Sequence, residues 1–364
     1  MTVRKHPGRW LCTLAAPNGK KSYRTFRLKK DALDFDASGH VEIRKGDFVH
    51  KRDDITINEA AALWLKSCEE DGLERSTTDR YRQYAELHIK PIIGHLKLNE
   101  LSLPALRSFQ SELRKKGGSP ALVKGATTAL CGILSEAQEQ GLAMRNIVKE
   151  KPRKKRGNAT VRHKPRLEAG KDIPLPAEIA RFCEALAKSH LRRWRPLLLT
   201  LTFSGIRISE ARGLRWCDLD LEKGLLHVRQ RADRYNEIGS PKSGKSARRI
   251  PLPDDVTQEL REHKMRTSFC KPDDLVFPNG AGNVENLANV RNRGLVPAWC
   301  EAGIIGRYQG LHSLRHWFAS WCANRKADGG LELPMKTVQE RMGHSSILIT
   351  AECYSHIFPV QAAD

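Results

Sequence analysis

Residues 201–220 read LTFSGIRISEARGLRWCDLD: an apolar run, a Ser204-Gly205 turn, then Arg207 at the start of a helix with Glu210 one turn further on. An arginine that opens a helix sits at the unfavourable end of the helix dipole, so something other than helix stability asks for it there. Taken alone, an exposed arginine on an amphipathic helix would account for the segment. Around it, from about residue 174 to the end, helices alternate with a few short strands. Segments 225–229 and 247–252 read as strands flanking a turn rich in Gly and Lys, and 253–267, 287–300 and 312–324 read as helices.

Upstream, residues 151–171, KPRKKRGNATVRHKPRLEAGK, carry nine Lys and Arg against one Glu, with two prolines, two glycines and no apolar period. That composition makes a basic linker whose cations neutralise phosphates; a nuclear-import signal is the alternative. Before it, Thr56-Ile57-Asn58-Glu59 has capping-box spacing, and Ile57, Ala60, Ala61, Trp64, Leu65 and Cys68 follow at helical intervals. Further helical patterns at 77–90, 103–116 and 120–141 are interrupted by Pro91, Gly94, Pro104 and Gly117-Gly118, which makes 55–150 an all-helical bundle. Residues 1–50 hold two strand-like runs, 10–14 and 22–26, about the turn signal Pro17-Asn18-Gly19, and carry 11 Lys and Arg against 5 Asp and Glu. The expected fold class is therefore multi-domain and mainly α with small β-sheets. Its parts are a small basic N-terminal sheet domain (1–50), a helical domain (55–150), a basic linker (151–171) and a mixed α+β domain (172–364).

With 364 residues and 40% hydrophobic content the chain can build more than one core. Lys and Arg number 63 against 42 Asp and Glu, a net charge of +21, which favours a polyanionic partner. No apolar run of about 18 residues marks a membrane span, so nucleic acid is the better match. The basic start MTVRKHPGRW lacks the apolar run of a signal peptide, and the nine cysteines form no CxxC. Both points lead to the expectation of a cytoplasmic protein with reduced thiols.

Two motifs mislead. Residues 239–246, GSPKSGKS, satisfy GxxxxGK[ST], but a phosphate loop must run into a helix, and Pro251 and Pro253 follow instead. The segment reads better as a hairpin tip presenting Lys242 or Lys245. His312 and His316, at i and i+4, could share a zinc ion, but the glutamate of the metalloprotease motif is absent, and Ser313 stands there. More useful is the i, i+3 pair His312 and Arg315, since an imidazole exchanges a proton while a guanidinium forks onto the oxygens of a phosphodiester.

Together these segments resemble the tyrosine recombinase family, which includes phage integrases and the recombinases that resolve chromosome dimers. SGIRISE with LRWCDLD resembles the first arginine box, and PKSGKSARRIPL the hairpin box. LHSLRHWFAS resembles the box of the histidine and second arginine, and MGHSS with AECYSH the last box, all in order from Ser204 to His356. Residue by residue, the resemblance implies Arg207 as first catalytic arginine with Glu210 as its supporting carboxylate. It implies Lys242, rather than Lys245, as catalytic lysine, then His312, Arg315, His344 and the nucleophile Tyr354. Departures touch no reactive position: Ser313 stands where aspartate is common, Trp317 where threonine is, Met342 where leucine is. The stretch 322–336 is longer than the usual connection, and Gly329-Gly330 marks it as a surface excursion.

The resemblance further implies that 55–150, with HIKPIIGHLKLNELS at 88–102, binds a core site, and that the basic sheet resembles an arm-site-binding domain. It implies site-specific recombination of double-stranded DNA by a homotetramer, through a 3′-phosphotyrosyl intermediate, with no cofactor, ATP or metal. Accessory DNA-bending or directionality proteins are further partners of that kind of system. A regulator that kept the fold without the chemistry is disfavoured by the intact set of six residues. A relaxing topoisomerase, which would act without a defined site, is disfavoured by the basic sheet and helical domain.

Overall fold

The computed structural model describes residues 2–15, 21–44, 54–143, 145–150, 167–241 and 247–354. The chain divides into two compact units, Met1–Ala159 and Thr160–Asp364.

The first unit begins with an antiparallel sheet in the order β1-β2-β3, formed by Val3–His6, Arg9–Ala15 and Lys21–Phe26. The register pairs His6 with Arg9 across a tight turn in which Gly8 takes a φ of 71°. Alternation turns Cys12 and Leu14 to one face, both fully buried, where helix α1 (Lys29–Arg44) covers them. Gly39 makes that approach close, because a Cβ there would run into the Leu14 side chain. Asp36 of α1 accepts from the Thr2 hydroxyl (2.7 Å) and the Cys12 thiol (3.5 Å). Neither β1 nor α1 was expected from sequence. VRKH shows no apolar alternation, and α1 is a polar helix interrupted by Gly39.

The helical part of this unit comprises α2 (Ile57–Glu70), α3 (Arg75–Tyr84), α4 (Lys90–Ile93), α5 (Leu103–Lys115), α6 (Pro120–Glu139) and α7 (Ile147–Glu150). Thr56 caps α2 as its spacing predicts: its hydroxyl accepts from Glu59 N (3.2 Å) and Glu59 reaches back to Thr56 N (2.7 Å). The six residues expected on the inner face of α2 are the ones buried. Pro91 does not interrupt the helix. A π-helical turn at Ala85–Ile89 lets Lys90 N bond Ala85 O, five residues back, and the ladder absorbs the proline two residues into α4. Pro104 likewise opens α5 rather than breaking a helix. Two glycines in α6 admit aromatic rings: Trp64 packs over Gly132 and Tyr84 over Gly125.

In the second unit, α8 (Pro176–Ala185) and α9 (Arg195–Ser204) lead to the short α10 (Ile208–Arg212). Helix α9 is apolar on most sides, with Leu197, Leu198, Leu199 and Leu201 buried, and is a central element of the core. Its buried hydroxyls are satisfied locally, Thr200 and Thr202 each donating to the carbonyl four residues back at 2.7 Å. A three-stranded sheet has the order β4-β5-β8, from Leu219–Asp220, Leu225–Val228 and Arg248–Pro251. Between β5 and β8 lies a separate ribbon of β6 (Arg231–Ala232) and β7 (Ile238–Gly239). Then come α11 (Asp254–Arg266), α12 (Leu287–Asn289), α13 (Val296–Glu301), α14 (His312–Ala323), α15 (Met335–Met342) and α16 (Ile347–Tyr354). The π turn recurs before α13, where Val296 N bonds Arg291 O and Pro297 follows. The 322–336 stretch folds back on α14: Leu331 N and Leu333 N donate to the carbonyls of Trp321 (2.9 Å) and Cys322 (2.8 Å), and both leucines pack on the core.

Candidate active site

Helix α9 ends where Gly205 turns left-handed (φ 62°), and the ring of Phe318 in α14 lies where a Cβ on Gly205 would be. This tight stop places Arg207 as the residue preceding α10. The arginine at a helix start has its explanation in Glu210, which accepts from Arg207 N and from its Nη1, both at 2.8 Å. Glu210 is only 3% exposed, whereas Arg207 keeps 31% of its side chain in solvent.

His312 and Arg315 come from the first turn of α14. Arg315 is buried, and its two Nη groups donate to Gly205 O and Met342 O, so it links the C-terminal ends of α9 and α15. Arg207 Nη2 donates to the next carbonyl, Gly343 O (3.3 Å), and Arg248 Nε to the preceding one, Arg341 O (2.7 Å). Three guanidiniums therefore hold three consecutive carbonyls at the end of α15. Those carbonyls have no partner within the helix, and they form the negative end of its dipole. Gly343 closes α15 in the left-handed conformation (φ 62°), with its N bonded to Glu340 O (3.0 Å) and His344 N to Gln339 O (3.2 Å).

His344 follows in that turn. Its Nδ1 lies 2.8 Å from Thr350 Oγ1, a fully buried hydroxyl of α16, and its carbonyl accepts from Gln339 Nε2 (2.9 Å). Burial brings the His344 pKa down to about 4, reinforced by Arg315, Arg207, Arg248 and His312. His312 keeps an exposed edge, but burial of the rest of the ring, then the charges of Arg315 and Arg207, lower its pKa as well. Both imidazoles are thus neutral near pH 7. Burial pushes Glu210 upward, yet Arg248, by charge and hydrogen bond, and then Arg207 outweigh it and hold the carboxyl below its ordinary range.

The structure thus brings Arg207, Arg315 and His344 together at the α15–α16 turn, with His312 near enough for its charge to interact with theirs. Tyr354 is the last residue of α16, described in its backbone only, and Lys242 lies outside the described residues. Of the nucleotide-loop pattern at 239–246, residues 242–246 also lie outside them; β8, a strand and not a helix, follows. The rings of His312 and His316 meet edge to face at 4.9 Å, and among the described residues no group of three or more His, Cys, Asp or Glu could hold a metal. Sequence reading missed Arg248, Gln339 and Thr350. The signal for Arg248 was there, since Arg248 shares a strand face with the fully buried Ile250, an odd place for a charge without a partner.

Two guanidiniums, those of Arg207 and Arg315, beside two neutral imidazoles are the equipment of a site that grips a phosphodiester by fixed cations and moves protons beside it. That defines a class of phosphoryl-transfer protein acting on nucleic acid. Residues 175–360 match the model of the phage integrase family, and 56–114 match the phage integrase N-terminal SAM-like domain. The chain belongs to the phage integrase family, the tyrosine recombinases, whose catalytic domain cleaves and rejoins DNA. It is 26% identical over 340 residues to the XerC-like tyrosine recombinase of Caldanaerobacter subterraneus subsp. tengcongensis, spanning 85% of this chain and 81% of that one. Its fold is similar to that of the Tn1549 transposon integrase in complex with a circular intermediate DNA (TM-score 0.65, 18% identity, 83% of this chain and 95% of that one). It is similar also to the lambda integrase in a tetramer bound to a Holliday junction (TM-score 0.59, 16% identity, 100% and 96%).

Proposed function

We propose that this protein is the integrase of a mobile element, which integrates and excises DNA at paired sites through a 3′-phosphotyrosyl intermediate on Tyr354, using neither ATP nor metal. The observation that carries this reading is the convergence of Arg207, Arg315 and His344, with His312 within electrostatic reach, on the turn that begins the helix ending at Tyr354. Arg207 and Arg315 neutralise the non-bridging oxygens, where charge develops during attack, and His344 donates a hydrogen bond to them. The Tyr354 oxygen attacks phosphorus and gives its proton to neutral His312. The bond from phosphorus to the 5′ oxygen breaks, and Lys242 protonates the leaving oxygen. A 5′ hydroxyl of a second DNA end then attacks the phosphotyrosine and releases Tyr354. One phosphoester replaces another at each step, so no nucleotide is consumed. Losing any one of these residues slows cleavage by about 100-fold or more.

The basic linker 151–171 and the basic sheet support binding of long DNA sites, and the tetrameric lambda integrase complex supports four copies on two sites. The test is to express the wild type and Tyr354→Phe in cells carrying mobile-element DNA, capture detergent-resistant protein–DNA adducts and sequence the attached ends. Adducts from the wild type alone, clustered at one or two sequences, are expected. Scattered adducts would indicate a topoisomerase, and equal adducts from Tyr354→Phe would mean another nucleophile.

A further inference from the structure

We propose that Arg248 is a positioning residue for strand cleavage: it ties Glu210 to the 341–343 turn and through them sets Arg207 and His344 toward the phosphate. This rests on the roles just given to Arg207 and His344. Arg248 starts β8 opposite Val228 and shares its inward face with Ile250. Only 6% of its side chain is exposed. A guanidinium in such a place is tolerated when its donors are engaged, and these are: Nη2 to Glu210 Oε2 (2.9 Å), Nη1 to Glu210 Oε1 (3.3 Å) and Nε to Arg341 O (2.7 Å).

The contacts close a circuit. Arg248 holds Glu210, Glu210 holds Arg207, Arg207 reaches Gly343 O, and the Gly343–Arg341 turn returns to Arg248. Gly343 belongs to the same device, because a Cβ there would lie 2.9 Å from Arg248 Nη1. Arg207 keeps 31% of its side chain open toward a phosphate, whereas Arg248 has its Nε and both Nη groups engaged by Arg341 O and Glu210, so its influence passes through its neighbours. Those neighbours are the carboxylate that aims Arg207 and the turn that carries His344. Lysine cannot substitute, since a single ammonium does not fork onto a carboxylate while also reaching a carbonyl on the other side.

The test uses the full-length chain on a nicked duplex bearing the site recovered by adduct sequencing, with Arg248→Lys, Arg248→Gln, Glu210→Gln and the double Glu210→Gln/Arg248→Gln. Single-turnover covalent-complex formation is expected to fall by about 100-fold in Arg248→Lys, with half-site binding and thermal midpoint close to wild type. The double variant should lose no more than the worse single one. A 5′-bridging phosphorothiolate, whose sulfur leaves without a proton, should rescue Lys242→Ala but not Arg248→Lys. Four results would overturn the proposal: wild-type rates in both Arg248 variants, rates that fall only in step with folding and binding, additive losses, or phosphorothiolate rescue of Arg248→Lys. A wild type that forms no covalent complex on that duplex would overturn the recombinase reading itself, which a cleaving wild type beside an equally active Arg248 variant would leave standing.

Discussion

His344 and His316 each have a pKa brought down to about 4, in both cases first by burial, then for His344 by Arg315 and for His316 by His312. A histidine whose folded pKa lies below its unfolded value near 6.5 takes up its proton more readily when unfolded. Its contribution to stability is therefore complete above about pH 6.5 and is lost as the pH falls toward about 4. Histidine proton resonances should show His344 titrating near 4 in the free protein, and inorganic phosphate should move that midpoint up by offsetting the guanidiniums. A midpoint near 6.5 would mean that the ring is neither buried nor surrounded by those cations. The same crowding makes Gly205 indispensable: Gly205→Ala meets both a φ of 62° and the ring of Phe318, and should destabilise the fold by about 2 kcal/mol or more in denaturant titrations. At this scale the sequence was informative about identity and poor about partners. Arg207, His312, Arg315 and His344 were legible because their boxes occur in order. Arg248 could be seen as a charge on an apolar strand face, but its role could not, because that depends on Glu210, 38 residues away.

Elements were legible where local chemistry decides them. The box at Thr56 and Glu59 forms as read, and Thr56→Ala should lower stability by about 1 kcal/mol, seen as a shifted urea midpoint with an unchanged slope. Strands 225–229 and 247–252 were close to the observed β5 and β8, since alternating Leu226, Val228 and Ile250 fill one face. Proline was over-read as a breaker, at Pro91 above all. Whether a helix stops or passes through a π turn depends on what packs against it, and the segment just after α4 is held to α2 by Ile57 N on Leu96 O (2.9 Å) and Asn58 N on Gly94 O (3.0 Å). The polar strand β1 and helix α1 had no periodic signal of their own: β1 exists by pairing along the edge of β2, and α1 by covering Cys12 and Leu14.

Across the whole molecule the net charge of +21 sets the expectation for DNA. Binding should weaken steeply with salt, and replacing Lys154, Lys155 and Arg156 by glutamine should reduce the slope of log affinity against log salt by about 2 to 3. An unchanged slope in a filter-binding or fluorescence titration would remove the 151–171 segment from the phosphate contacts. Charge, helical periods, capping boxes and the ordered boxes of reactive residues are properties of neighbours along the chain, and the sequence by itself determined them. From these followed the class of fold, the polyanionic partner and the resemblance to tyrosine recombinases. The clamp on the last carbonyls of α15, the neutral state of His312 and His344, and the circuit through Arg248 were decided only by tertiary structure. The reason is physical: a hydrogen bond or a pKa depends on which charges and which protein surface lie within a few ångströms. For Arg315 those are Gly205 and Met342, groups that the sequence separates by 110 and 27 residues.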